Sequence, residues 1–236
     1  MKKLLENLVE KNKVHAKEGK LASYIPALME ANPEAVGICV VDLKDKYEFW
    51  AGDSDVKFTI QSISKVVSLI IALNDNGRTN VFSKVNVEPT GMGFNSIVNL
   101  EAAMENRPYN PMINAGAIVT TSLIFGETQE RKLERILNFM RRATNNPHIG
   151  INEEIYLNEK ATGDRNRALA YYMKSTGALE GDVEEVLDLY FKQCSIEATA
   201  RDLARFGAVI ANDGVTPWSN EVLMSRDICR IVKTIM

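Results

Sequence analysis

The sequence predicts an α+β protein in which an antiparallel sheet flanked by helices joins a mainly helical lobe. Three observations predict it. Two β-rich runs, VGICVVDL from Val36 and YEFWAG from Tyr47, enclose the polar turn Lys44-Asp45-Lys46, the pattern of a hairpin. An apolar stripe at helical spacing, Ile63, Val66, Val67, Ile70 and Ile71, follows soon after. Beyond residue 112 the chain reads as mostly helical. Residues 1–57 are therefore expected to form the N-terminal part of an α/β lobe, a helix plus a hairpin, and residues 58–236 a mainly helical lobe. An isolated strand pair is marginal in water, so the hairpin also implies that the last strands are missing and lie beyond residue 236.

The individual elements follow in chain order. Residues 4–22 carry apolar positions among charges and predict a solvent-facing helix ending near Tyr24-Ile25-Pro26. The chain turns helical from Phe58, and Asn76-Gly77 is a stop signal. Residues 78–112 hold most of the loop signals, including Pro89, Thr90-Gly91-Met92-Gly93 and Arg107-Pro108-Tyr109-Asn110-Pro111. AGAIVTTSLIF (115–125) reads as a buried helix and 130–143 as a basic amphipathic one. Helices over 183–193 and 197–211 join at Ser195, read as an N-cap, and Asn212-Asp213-Gly214 ends the second. The last segment starts at a capping Ser225 and places Ile228, Ile231, Val232 and Ile235 on one stripe.

Composition excludes several functions. The net charge of -3 comes from 28 basic and 31 acidic residues interspersed along the 236-residue chain, with no basic block to neutralise a row of phosphates. Nucleic acid is not expected as a partner. The apolar runs fall well short of the roughly 20 residues that cross a bilayer, and Glu6 and Glu10 interrupt any signal-peptide core, so neither a membrane nor export is expected. Cys39, Cys194 and Cys229 form no C-x-x-C pair and read as buried thiols of a reducing, cytoplasmic compartment. No His/Cys cluster or phosphate loop implies a metal or an organic cofactor.

The chemistry concentrates in FTIQSISKVVSLII (58–71). Ser62 and Lys65 stand three apart at a helix start, on one face. A buried lysine with a depressed pKa accepts a serine proton, and a helix N-terminus favours an oxyanion beside it. With only His15 and His148 in the chain, and no evident acid beside either, a serine hydrolase here would use lysine. S-x-x-K also occurs by chance in many helices.

The neighbouring motifs are more specific. QSISK, NPMINAGAI (110–118), EKATGDRN (159–166) and LDLYFKQCS (187–195), in this order and at these separations, resemble the bacterial and mitochondrial glutaminase family, related in fold to the serine β-lactamases and penicillin-binding proteins. The resemblance runs from about Tyr24 to Met236. It implies a serine β-lactamase-like fold and hydrolysis of the side-chain amide of L-glutamine, with Ser62 as nucleophile and Lys65 as base. It further implies that Glu159 binds the α-ammonium, that Asn114 and Asn166 contact substrate, and that Tyr24, Gln61 and Tyr190 complete the substrate-binding set. A homo-oligomer, a dimer or tetramer, is implied in the same way. Read without the resemblance, Asn114 and Asn166 are capping or turn residues, Tyr24 and Tyr190 are core aromatics with a polar tip, and Glu159 belongs to a solvated face.

Family members run on into a tyrosine in a C-G-M-Y-D-like segment and a K-S-G-V-like strand, both absent here, and Lys233-Thr234 is followed by Ile235 rather than glycine. The chain as written is therefore expected to be a truncated form, poorly folded or inactive. Two alternatives stand beside the glutaminase reading. A penicillin-recognising D,D-peptidase or β-lactamase would use the same S-x-x-K together with the Y-x-N tripeptide Tyr156-Leu157-Asn158. A non-catalytic protein would use the pocket to bind an amino acid.

Overall fold

The computed structural model describes residues 1–97 and 107–236; part of the loop-rich stretch read over 78–112 lies outside the described residues. Strands β1 (Gly37–Val41) and β2 (Glu48–Gly52) pair antiparallel with Cys39 opposite Trp50, as the alternation around Lys44-Asp45-Lys46 requires. Helix α1 (Lys2–Asn12) packs on β2. It is shorter than expected: from Lys13 to Glu18 the chain tightens into a 3₁₀ helix, and a second 3₁₀ turn spans Pro26–Glu30. Cys39 is half-buried rather than buried, whereas Cys194 and Cys229 are buried; all three are free thiols.

The helix expected from Phe58 starts later. Phe58–Thr59 forms a short strand, β3, followed by a 3₁₀ turn over Gln61–Ile63 and then helix α2 (Ser64–Phe82). Its first ten residues, Ser64 to Leu73, are all buried, each large apolar side chain among them contributing about 1.5–3 kcal/mol. Gly77 breaks α2 at φ +70, ψ 164, and helical turns resume to Phe82. Asn76-Gly77 is thus a kink and not an end.

Helix α3 (Asn114–Ser122) is buried over its first eight residues, as its run of small and apolar residues predicts. The Asn110 side chain builds its entry, with Oδ1 accepting from the backbone of Met112 (2.9 Å) and Ile113 (3.2 Å) while Nδ2 donates to Glu88 O. Helix α4 (Gln129–Thr144) is capped by Thr128. Helices α5 (Glu153–Thr162) and α6 (Asp164–Ser175) meet at Gly163, and α7 (Val183–Cys194) packs against α3, α5 and α6.

Ser195 is not an N-cap. Its hydroxyl donates back to Phe191 O, and the chain then extends as strand β4 (Glu197–Ala198), antiparallel to β3. The physical reason lies one residue further on: Thr199 and Asp202 form a complete capping box, so helix α8 (Ala200–Ala211) nucleates there instead. Ile60 N–H donates to Ile196 O, Asn152 N–H to Ser195 O and Glu197 N–H to Gly150 O. Segments from three parts of the sequence are thereby tied into one small ladder beside Ser62.

Helix α8 lies against β1, and Arg201 and Arg205 both hold Glu48 of β2, with the Arg201 guanidinium 4.1 Å from the Trp50 ring centre. A helix from late in the chain therefore covers the sheet. Helix α9 (Arg226–Ile235), capped by Ser225, packs on α2. One apolar cluster gathers α2, α4, α8 and α9, and a second gathers α3, α5, α6 and α7.

A Cβ at Gly116 would stand 1.9 Å from Asn110 O, because α3 presses on its own entry loop. Gly116→Ala is expected to cost about 3 kcal/mol, the upper end for overpacking, read as a lower urea midpoint at unchanged slope.

Candidate active site

A cavity of about 330 Å³ opens beside the second cluster, which contributes Tyr190 and Cys194 to its wall. It is lined by Tyr24, Gln61, Ser62, Asn114, Glu159, Asn166 and Tyr190, every substrate-binding residue expected from the sequence. Lys65 lies beneath it, hydrogen-bonded to the lining Asn114. Neither histidine takes part: His15 is paired with Glu18 on the surface, and His148 is exposed in a loop.

Ser62 sits in the 3₁₀ turn that leads into α2, not in the helix itself. The residue before it, Gln61, is held at φ +46, a left-handed conformation uncommon outside glycine. Its side chain is pinned at both ends, Nε2 donating to Thr59 Oγ1 at 2.9 Å and Oε1 accepting from Tyr24 OH at 3.1 Å. The result is a sharp exit from β3 that leaves Ser62 exposed at the cavity.

Lys65 is 2 % exposed. Its Nζ donates to Asn114 Oδ1 at 2.7 Å and stands 5.2 Å from the Phe94 ring centre; Ser62 Oγ makes no hydrogen bond among the described residues. Burial pushes the Lys65 amine below the ordinary lysine range, opposed by Cys194 and Glu159. With Lys65 Nζ donating to Oδ1, the Asn114 amide is oriented: Nδ2 turns to Asn166 Oδ1 at 2.9 Å. This leaves Asn166 Nδ2 without a partner among the described residues, on a side chain that lines the cavity.

Glu159 is 8 % exposed, not on a solvated face. Burial pushes its carboxyl up to about 8, against the opposing pull of the Cys194 thiol and of Lys65. Its Oε2 is buried with no hydrogen-bond partner, an acceptor that a ligand's cationic group would satisfy. Tyr190 is 2 % exposed, whereas Tyr24 is a surface residue whose hydroxyl reaches the rim. Gly163, between α5 and α6, sets the positions of Glu159 and Asn166; a Cβ there would lie 2.5 Å from Phe191 Cζ.

Sequence reasoning missed Cys194, Phe94, Asn95 and Arg165 as lining residues. Cys194 stands four residues after Tyr190, one helical turn along the same face, and that spacing was the available signal. Arg165 lies inside EKATGDRN, but Phe94 and Asn95 carried no local signal. The Y-x-N tripeptide is used elsewhere: Tyr156 OH donates to Asp188 at 2.5 Å, and Asn158 Nδ2 bonds Glu154 O, neither residue lining the cavity. Among the described residues no three metal-ligating side chains cluster, and no helix is long and apolar enough to cross a membrane.

Small antiparallel strands packed with helices, and a serine–lysine pair at the head of a buried helix, place the chain in the serine β-lactamase-like class. The family model described as Glutaminase matches residues 19–236. Glutaminase 2 of Clostridium perfringens is 60 % identical over 236 residues, which span all of this chain and 77 % of that protein. Among solved structures, the probable glutaminase of Bacillus subtilis superposes with a TM-score of 0.90 at 40 % identity, covering all of this chain and 72 % of that one. A Bacillus subtilis glutaminase in covalent complex with 5-oxo-L-norleucine, formed by reaction with 6-diazo-5-oxo-L-norleucine, matches with a TM-score of 0.88 at 39 % identity, covering 100 % and 74 %. The chain belongs to the glutaminase family.

The Glu159 carboxyl gives the site a pH signature. Its folded value, about 8, lies above the ordinary 4.5, so between these pH values the folded state holds a proton that the unfolded state has lost, and stability falls as pH rises. Glu159→Gln, which cannot ionise, is expected to flatten that fall. The difference in unfolding free energy, variant minus parent, should grow from pH 5 to pH 8 by at most about 1.4 kcal/mol per unit, measured by urea denaturation.

Proposed function

We propose that the cavity hydrolyses the side-chain amide of L-glutamine to L-glutamate and ammonia through a Ser62 acyl-enzyme. Free glutamine is a zwitterion, and the lining offers a group for each charge: Glu159 for the α-ammonium, and the amide donor of Asn166 for the α-carboxylate. The observation that carries this reading is the buried, unpartnered Oε2 of Glu159 in the same cavity as Ser62. Tyr24, Gln61 and Tyr190 shape the remaining wall.

In the proposed reaction Ser62 Oγ attacks the amide carbon while its proton passes to the neutral Lys65 amine. Collapse of the tetrahedral intermediate breaks the C–N bond, and Lys65 returns the proton to the leaving ammonia. Water, its proton taken by Lys65, then attacks the γ-glutamyl ester, and as the ester C–O bond breaks Lys65 returns that proton to Ser62 Oγ, releasing L-glutamate. The amine suits this work because burial favours its neutral form, and Asn114 holds it in place. The positive end of α2 favours the oxyanion near Ser62. The free thiols and modest net charge support a cytoplasmic setting, and the family resemblance supports a homo-oligomer.

Reaction with 6-diazo-5-oxo-L-norleucine followed by peptide mass mapping tests the assignment. The adduct is expected on Ser62, absent in Ser62→Ala and much slower to form in Lys65→Ala, and Ser62→Ala is expected to lower ammonia release at least about 10³-fold. An adduct elsewhere, or ammonia release unaffected by Ser62→Ala, would reject it. Glutamine binding by calorimetry with no turnover in the parent would favour a non-catalytic amino-acid-binding role instead.

A further inference from the structure

Arg165 lines the cavity, and the proposed reaction gives it no task. It is the one cation in a lining whose one carboxyl is Glu159, and no ion pair joins the two among the described residues. Arg165 Nε donates to Asn95 O at 2.7 Å, which fastens the loop wall to α6 and uses one arm of the guanidinium. Its two terminal nitrogens have no acceptor among the described residues. The nearby Arg167 differs, because that side chain pairs with Glu184 and Asp164 and donates to Lys160 O.

Arg165 is also locally out of place. It stands in the first turn of α6, where no side chain caps the helix and the helix dipole disfavours a cation. Asp164, the acid of that turn, pairs with Arg167 instead. A residue that breaks a local rule at the edge of a cavity points to a ligand. Consecutive residues do not share a helix face, yet Arg165 and Asn166 both line the cavity, because it lies across the end of α6, with Thr162 and Gly163 in the same wall.

We infer that Arg165 is a specificity-determining residue: the free arms of its guanidinium take the α-carboxylate of the substrate together with the Asn166 amide, and so restrict the cavity to amino acids with a free α-carboxyl group. The inference rests on the glutaminase reading for the identity of the substrate. In an α-amino acid the carboxylate and the ammonium share one carbon, so a cavity that seats the ammonium at Glu159 meets the carboxylate as well. A guanidinium fork matches both carboxylate oxygens, whereas a lysine offers a point charge. A glutamine residue within a peptide chain carries a neutral amide at that carbon and gains nothing from the charge. Arg165 is exposed, so replacing it leaves the core intact, and water weakens the ion pair it makes.

The test compares L-glutamine with its α-carboxamide, which keeps the ammonium and the side-chain amide and lacks the carboxylate. Calorimetry in a Ser62→Ala background reads binding without turnover. There Arg165→Gln is expected to weaken L-glutamine about tenfold and the α-carboxamide less than about twofold, with Arg165→Lys between the parent and Arg165→Gln. With Ser62 present, Arg165→Gln should raise KM for L-glutamine about tenfold and leave kcat within about twofold. Equal loss for both ligands means that Arg165 acts only by fastening the loop through Asn95, and no loss for either means that it faces water alone; each result overturns the inference. Ammonia release unaffected by Ser62→Ala rejects the glutaminase reading, while the preference between the two ligands still decides the role of Arg165. An intact reaction with an unchanged preference rejects Arg165 alone, and a chain that binds neither ligand rejects both.

Discussion

A primary amine kept out of water at the foot of a cavity is the constraint from which the other features follow. Burying an ammonium costs several kcal/mol unless it is paired or gives up its proton, and among the described residues Lys65 has one close acceptor, Asn114 Oδ1 at 2.7 Å. That single bond dictates where α3 begins. It explains why the loop ahead of α3 is locked by Asn110, and why Gly116 lets the helix press against that loop. It also fixes which way the Asn114 amide faces, and through it the Asn166 amide on α6. The cost of burial is offset by the apolar run that follows Lys65 along α2, whose apolar side chains from Val66 to Leu73 anchor the helix in the first cluster.

The second buried ionisable group works against the first. Desolvation disfavours charge on both Lys65 and Glu159, while their mutual attraction favours it. With no ligand, desolvation is the larger effect at each group, and both lean towards neutrality. A ligand that carries its own ammonium to Glu159 changes that balance: the carboxylate becomes the better form, a proton leaves, and the orphaned oxygen gains its partner. On the proposed reading, recognition satisfies that buried oxygen rather than adding contacts to an already satisfied surface.

Much of this was legible in the sequence because local signals and tertiary demands agreed. The hairpin around Lys44-Asp45-Lys46, the buried α3, and the capping serine before α9 all fell where residue type and spacing put them. The mainly helical character after residue 112 did so as well. The failures share a physical cause. Phe58–Thr59 and Glu197–Ala198 are strands only because each completes the other across 137 intervening residues, and nothing in a helix-compatible local pattern announces such a partner. Ser195 offered a cap, but Thr199 with Asp202 offered a better one. Within the site, the motifs yielded most of the lining but not Cys194 and Arg165 inside them, and Phe94 and Asn95 lay outside any motif, because a loop wall is set by where the chain is led and not by any period.

The β3–β4 ladder deserves a different description from the one its size suggests. By tying residues 58–60 to 196–198, and these in turn to 150–152, it fastens the turn that carries Ser62 to the start of the helix that carries Glu159. The backbones that lead to the two side chains are therefore joined by main-chain hydrogen bonds. Such an arrangement is a ruler. On the proposed reading, an amino acid amide one methylene shorter would keep its ammonium against Glu159 and leave its amide carbon short of Ser62, so selectivity for chain length would be written into the backbone rather than into any side chain of the pocket.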